Sequence, residues 1–216
     1  MRRYSSEQRI ISHSPKLRFL LNFRVMDLLI KKIKGYVPLS SNDEIIIRTL
    51  FHKKEVKKGE YLLEEGNICR HVIFIETGLV RYYINQDGEE KTTYFNKENE
   101  FVCDNMSFLT QTPSNLNIRA VEDSTVWMIS HTDIQQFYKE VTTGERFGRL
   151  AIEQVFVSAA SQIISLYTDL PEVRYNKFVS NYSDVAQRIP QYYIASYVGI
   201  KPQSLSRIRK RISRNH

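Results

Sequence analysis

Apolar spacing in the first 52 residues predicts two helices. The stretch 26–33 has apolar residues three or four apart with lysines between them, the pattern of an amphipathic helix. The next stretch, "LSSNDEIIIRTLF", offers Ser40 or Ser41 as a helix N-cap before an apolar run. Residues 1–25 show no periodicity that joins them to these helices, so we expect them to be peripheral to the fold.

Between about residues 52 and 131 the pattern changes to short β-branched and aromatic runs punctuated by glycine. Gly59, Gly66, Gly78 and Gly88 lie 7 to 12 residues apart. The segment "NQDGEE" contains an Asp–Gly pair, which supplies the positive φ angles that a tight hairpin needs. Short strands separated by turn residues at this spacing predict an antiparallel sandwich or barrel.

After Ser130 the pattern predicts helices again. "HTDIQQFYKEV" suits a short helix capped by Ser130 or Thr132, and a long helix follows from about residue 144 to 167. At about 1.5 Å per residue the long helix spans roughly 35 Å, too far for one β domain to cover. Its apolar face therefore predicts a partner helix in a symmetric dimer, although packing on its own β domain remains an alternative. The residues predicted for this face are Phe147, Ala151, Val155, Ala159, Ile163 and Leu166, widened by Ile152, Phe156 and Ile164.

The segment "IASYVGIKPQSLSRIRKRI", residues 194–212, fits two short helices that cross steeply at a glycine. Gly199 follows a small residue by four positions, where the first helix must end and the chain turn. Pro202 suits the first turn of the second helix, where its missing N–H costs nothing. The positions predicted to hold the two helices together are Ile194, Ala195, Val198, Gly199, Ile200, Leu205 and Ile208.

The second helix, residues 202–212, has the residue types that read double-stranded DNA. Gln203, Ser204 and Arg207 fall on its outward side. Arginine can bind guanine with two hydrogen bonds and glutamine can do the same with adenine, which predicts base contacts in the major groove. Lys201, Arg209, Lys210 and Arg211 are predicted to contact phosphates.

The distribution of charge supports a polyanionic partner. The net charge is +7. Residues 174–216 contain nine Lys and Arg against the single acid Asp184, whereas residues 26–173 have more acids than bases. A basic C-terminal segment behind an acidic middle favours nucleic-acid binding, with a solvated basic surface as the alternative.

Other signals exclude several kinds of protein. Only Cys69 and Cys103 are present, so we expect a reducing, cytoplasmic location without a disulfide framework. Two thiols and scattered histidines, among them His71 and His131, predict no metal site and no metal-holding enzyme cavity. We find no apolar run of membrane-spanning length and no secretory signal, and we expect neither an enzyme nor a membrane protein.

The whole chain, over about residues 40–212, resembles the Crp/Fnr family of bacterial transcription regulators. "KKGEYLLEEGN", "VIFIETGLVRYYINQDGEE" and the closing "QYYIASYVGIKPQSLSRIRKRI" carry the resemblance, which looks closest to a subgroup of Bacteroidetes-type bacteria. It implies an α+β protein with an N-terminal antiparallel β roll of jelly-roll type, a long dimerisation helix and an all-α helix-turn-helix domain. The implied divisions are 26–143, 144–168 and 169–216. DNA, a second copy and RNA polymerase are the implied partners.

The chain departs from this family where members that bind cyclic AMP hold the nucleotide. The corresponding segment begins with Phe101, places Cys103 and Asp104 where the family has glycine and glutamate, and places Ser114 and Asn115 where it has arginine and serine. Without the arginine, no bidentate clamp on a phosphate remains. We therefore expect these five residues to line a pocket for an unknown effector that is not cyclic AMP, and we identify no cofactor.

Two further expectations concern the C-terminus and the signalling mode. The sequence stops at His216, four residues after Ile212, which predicts that the β-hairpin wing of many relatives is absent or nearly so. An alternative function is a ligand-sensing β-roll subunit that acts on a protein partner without reading DNA. The outward face that contains Gln203 and Arg207 argues against this alternative.

Overall fold

The computed structural model describes residues 26–214, and the expectation for residues 1–25 lies outside that part. Two helices, a block of strands and a series of helices follow one another as the apolar pattern predicts, and the short helix α3 within the strand block was not predicted. Their bounds are α1 Asp27–Lys34, α2 Ser41–Leu50, β1 His52–Val56, β2 Tyr61–Leu63, β3 His71–Thr77, β4 Val80–Gln86, β5 Glu89–Asn96, β6 Phe101–Val102, α3 Asn105–Thr110, β7 Asn117–Ala120, β8 Ser124–Ser130, α4 His131–Glu140, α5 Gly144–Thr168, α6 Pro171–Asn181, α7 Val185–Arg188, α8 Gln191–Val198 and α9 Pro202–Arg214.

The eight strands form a jelly roll of two four-stranded antiparallel sheets. One sheet has the order β1-β8-β3-β6 and the other β2-β7-β4-β5. The β4–β5 hairpin closes through Asp87 and Gly88, both at positive φ, as the Asp–Gly signal predicts. The expected antiparallel β roll followed by helices is therefore confirmed.

The N-terminal helices and α4 complete the core of the roll. The Ser40 side chain accepts the Asp43 amide while the Asp43 carboxylate accepts the Ser40 amide, which forms a capping box at the start of α2. The other carboxylate oxygen of Asp43 accepts the Thr142 amide at 2.8 Å, just before α5. Burial raises the pKa of Asp43, but these hydrogen bonds outweigh it and lower the pKa to about 2.

Helix α5 leaves the roll, and only its first turns are covered by it. Phe147 is 7% exposed and packs edge-on against Tyr36 and Phe137, and Ala151 packs on the same core. Both residues were predicted for the partner-facing stripe. For Phe147 that prediction is wrong because the chain's own roll covers it, whereas Ala151 is half-buried and its place in the stripe stays a prediction. From Ile152 onward the large apolar residues are exposed.

The exposed residues of α5 follow a heptad seam. Ile152, Phe156, Ala159, Ile163 and Leu166 are spaced alternately by four and three residues, and all five are exposed. The predicted Val155 is exposed beside this seam. By length and composition alone α5 could also cross a membrane, with a mean hydropathy of 1.3 over its most apolar window, whereas the sequence analysis found no such helix.

The C-terminal helices pack on the roll through a second hydrophobic core. Leu79 and Phe95 of the roll are fully buried against Phe178 and other residues of α6–α9. Phe95 meets Phe178 and Tyr197 with ring centroids 6.1 and 5.9 Å apart. The C-terminal helices therefore share their core with strands β4 and β5.

Candidate nucleic-acid interface and sensor cavity

Helices α8 and α9 form a helix-turn-helix that depends on one glycine. Gly199 has φ +75°, which favours glycine because other residues are strained there. The Ile200 amide bonds the Ala195 carbonyl, closing the end of α8, and Arg174 of α6 donates to the Val198 carbonyl at 2.8 Å. The chain then enters α9 at Pro202, where the sequence places it.

The residues between the two helices are buried with one exception. Ile194, Ala195, Val198 and Leu205 belong to the second core, and Ile208 is buried as well. Ile200 is only half-buried, less than the sequence analysis expects, because it follows the turn at the edge of that core.

The outward face of α9 is polar and basic. Gln203 and Arg207 are exposed, whereas Ser204 is half-buried at the side of the helix. Ser206 is exposed next to Arg207, and sequence reasoning missed it although the helical period places it on the flank of this face. The four residues predicted for phosphate contact, Lys201, Arg209, Lys210 and Arg211, are all exposed.

Arg211 has a partner within the chain. Its guanidinium forms an exposed ion pair with Glu172 near the start of α6. An exposed ion pair of this kind contributes little free energy, so a phosphate can replace the Glu172 carboxylate as the partner of Arg211 at small cost.

Helix α8 packs against the edge strand β5. The Thr92 amide donates to the Ser196 hydroxyl at 2.8 Å, and that hydroxyl donates to the Glu90 carbonyl. Next to this contact the buried Arg81 pairs with Glu90 and lies over the ring of Tyr193 at 3.7 Å. Because unpaired edge strands invite further strands, α8 also protects β5.

Ion pairs at the short helix α7 add to this docking. Arg188 donates to Glu98 at 2.8 Å and also bonds Glu122, and hydrogen bonds to Glu122 and Glu98 raise its pKa. Lys97 pairs with Asp184 at 2.7 Å. The roll therefore fixes the orientation of the helix-turn-helix in this conformation.

A cavity of about 420 Å³ lies between the roll, helix α3 and helix α5. Phe101, Cys103 and Asp104 line it, as the sequence analysis predicts. Most of its surface is apolar, and the polar groups include the side chains of Tyr94 and Gln162. Among the described residues, no lysine, arginine or histidine lines this cavity.

Ser114 and Asn115 do not line the cavity, so their predicted place in the pocket is wrong. The Ser114 hydroxyl is used locally, since it accepts the Leu116 amide and donates to the Leu116 carbonyl. Its main chain pairs with the turn at Gly66 and Asn67. Asn115 is exposed outside the cavity.

Asp104 has a structural partner as well as a place in the cavity wall. Its carboxylate accepts the amides of Met106 and Ser107 and so caps the N-terminus of α3. Both amides bond the same oxygen, Oδ1, so the cap leaves Oδ2 able to accept further hydrogen bonds.

Comparison of sequences finds a known domain family that is similar to part of the roll. Residues 53–141 match the family described as the cyclic nucleotide-binding domain. No curated protein sequence matches the chain.

Comparison of structures extends the likeness to the helices that follow. FixK2 from Bradyrhizobium japonicum is 16% identical with a TM-score of 0.68, over 76% of this chain and 85% of that chain. A Crp/Fnr-family transcription regulator from Eubacterium rectale is 17% identical with a TM-score of 0.64, over 84% and 88%. The c-di-GMP-responsive global regulator CLP of Xanthomonas campestris is 14% identical with a TM-score of 0.65, over 82% and 93%. At these identities the comparison shows a common fold.

Proposed function

We propose that the chain is a cytoplasmic transcription regulator of the Crp/Fnr type that binds a palindromic DNA site as a homodimer. Residues 26–143 form the sensor, 144–168 the dimerisation helix and 169–216 the DNA-binding domain. The fold that it shares with known regulators supports this proposal, together with the match of the roll to a cyclic nucleotide-binding domain. RNA polymerase is the further partner that such a regulator would contact.

The outward face of α9 carries the DNA-binding part of the proposal. Gln203 and Arg207 are exposed on one side of a helix whose opposite side is buried through Leu205 and Ile208. A helix held in this way can enter the major groove with its N-terminal side chains at base edges. Lys201 and Arg209 flank that face, where phosphates would lie.

The exposed seam of α5 supports the homodimer. A helix with Phe156 73% exposed and Ile163 56% exposed leaves apolar area in water that a second copy would cover. The heptad spacing matches a two-stranded coiled coil, in which each residue of the seam packs against its counterpart. A two-fold axis along α5 would also place two copies of α9 side by side for two half-sites.

A charged nucleotide does not fit the cavity of the roll. A cyclic nucleotide carries a phosphate, and an anion moved from water into an apolar cavity needs a cation or several donors to offset its desolvation. The cavity has hydroxyl and amide groups but, in the described part of the chain, no cationic residue in its lining, so we infer a small effector without a net negative charge. Isothermal titration with cyclic AMP should give a dissociation constant no lower than about 10 µM. A lower dissociation constant would refute this inference.

A DNA-binding experiment tests the main proposal. Sites selected from random duplexes should bind the wild type at least about a thousandfold more tightly than scrambled duplexes. Arg207→Ala should lose about 1–3 kcal/mol of that discrimination in each half-site. Arg209→Ala should weaken binding to all duplexes alike and lower the salt slope by about two, one for each protomer. Lys139→Ala, an exposed charge on the roll, should change neither.

The same experiment separates the alternative function. If selection enriches no sequence and Arg207→Ala binds like the wild type, α9 does not read DNA. A sensor that acts on a protein partner would then be the better interpretation.

A further inference from the structure

The two cysteines lie against each other inside the sensor domain. Cys69 precedes β3 and Cys103 follows β6, yet their sulfur atoms are 3.9 Å apart. The main chain is anchored at both, because the Cys69 amide donates to Ser107 and the Cys103 amide donates to the hydroxyl of Tyr82. A spacing of 34 residues gives no sign of this contact in the sequence.

The environment of the pair favours a thiolate on one sulfur. A hydrogen bond from Cys103, with another from the Asp104 amide, lowers the pKa of Cys69 to about 7 despite its burial. The same hydrogen bond, together with burial, raises the pKa of Cys103. Cys69 is therefore the better nucleophile near neutral pH, and Cys103 holds the shared proton.

A small molecule can reach the sulfurs. A second cavity of about 250 Å³ is lined by both cysteines and extends to the exposed residues Glu64, Asn67 and Arg70. A water molecule occupies about 30 Å³ of the liquid, so this space admits a molecule of the size of hydrogen peroxide. The larger cavity next to α5 meets the pair from the other side, at Cys103.

We propose that Cys69 and Cys103 form a reversible disulfide when hydrogen peroxide or a small organic hydroperoxide enters the sensor domain. The Cys69 thiolate attacks one peroxide oxygen, the O–O bond breaks, and the leaving hydroxide takes a proton to become water. The Cys103 sulfur then attacks the sulfenic sulfur of Cys69, and the departing hydroxide leaves as water with the Cys103 proton. Two thiols are oxidised and one peroxide is reduced, and a cellular dithiol reverses the bond.

The disulfide would act on the wall of the larger cavity. A disulfide has an S–S distance of about 2.05 Å, so the sulfurs must approach by nearly 2 Å. Cys103 directly precedes Asp104, the cap of α3, and the Cys69 amide holds Ser107 within α3. Oxidation would therefore shift α3 against α5. Only this consequence for regulation rests on the proposed function, since the disulfide itself does not require DNA binding.

The experiment uses the full-length protein after reduction and removal of the reductant. Equimolar hydrogen peroxide at pH 7 should remove both thiols, and the product should migrate as a single chain on a non-reducing denaturing gel. Each cysteine lies in its own tryptic peptide, residues 59–70 and 98–119, and the two should be recovered linked and separate on reduction. Unlinked peptides, or a covalent dimer in place of the internal link, would overturn the proposal.

Single substitutions test the order of events. In Cys103→Ser, peroxide should leave a sulfenic acid on Cys69 that dimedone traps. In the wild type, the rate of thiol loss should rise with pH through about 7. In Cys69→Ser, the remaining thiol should react at least about tenfold more slowly at pH 7, because little of it is ionised. Equal rates in the two variants would contradict the assignment of Cys69 as the nucleophile. None of these measurements involves DNA, so their failure is distinct from failure of the proposed function.

Discussion

Replacing Ile163 by aspartate should separate the dimer without unfolding the protomer. The Ile163 side chain is 56% exposed in the protomer and is the fourth of the five residues of the heptad seam. Full burial of an isoleucine contributes about 1.5–3 kcal/mol, so covering the exposed half contributes about 1 kcal/mol in each protomer. The two-fold axis doubles this to about 2 kcal/mol for the dimer.

Aspartate adds a second cost to the lost burial. The two-fold axis of a parallel coiled coil brings the two substituted side chains together, so the dimer would desolvate two like charges. The desolvation of the two charges costs at least about 1 kcal/mol. Together with the lost burial, the free energy of dimerisation weakens by about 3 kcal/mol, which raises the dimer dissociation constant about a hundredfold or more. The protomer loses no core contact, so its thermal unfolding should change little.

Sedimentation velocity over a range of concentrations measures the dissociation constant. The matched control is Ile164→Asp, which changes the neighbouring isoleucine, 61% exposed but outside the seam. We expect the control to retain most of the wild-type association. Equal association of all three proteins, or equal loss in both variants, would refute the assignment of the seam.

Two further predictions concern the stability of each end of the protomer. Gly199→Val should lower the free energy of unfolding by at least about 1–2 kcal/mol, because φ is +75° at this position. Gly199→Asn should lower it by less, because asparagine tolerates positive φ better than valine. Equal losses of both variants in urea unfolding would contradict the assignment of the effect to backbone strain. Asp43→Asn should cost about 2 kcal/mol at pH 7, because the folded pKa of about 2 lies below the ordinary value of 3.8. This contribution is present above pH 3.8 and is lost as pH falls through about 2, so the difference between wild type and variant in urea unfolding should shrink below pH 4. A difference in the free energy of unfolding that does not change with pH would contradict the stabilisation assigned to ionised Asp43.

Features that depend on neighbours in sequence could be predicted, because their physical cause is local. Ser40 and Ser130 cap α2 and α4 as the sequence indicates, since a cap needs only a hydroxyl before an apolar run. The β4–β5 turn follows from Asp87 and Gly88 alone. The helix-turn-helix could be predicted for the same reason, because Gly199 marks the turn between its two helices.

Features that depend on distant contacts could not be predicted. Apolar periodicity identified the stripe on α5 but could not show that Phe147 faces its own roll while Phe156 faces solvent. Ser114 was assigned to the pocket by position along the chain, whereas a local turn holds its hydroxyl elsewhere. The contact of Cys69 with Cys103 joins separate segments, and no periodic signal precedes it.

Footprinting of the wild type on its selected DNA site tests the central claim most directly. A homodimer with one α9 in each half-site should protect two inverted half-sites whose centres are about 34 Å, or one helical turn, apart. Arg207→Ala should lose this pattern while remaining a dimer in solution. Protection of a single half-site by the wild type, or no preferred sequence at all, would contradict the account.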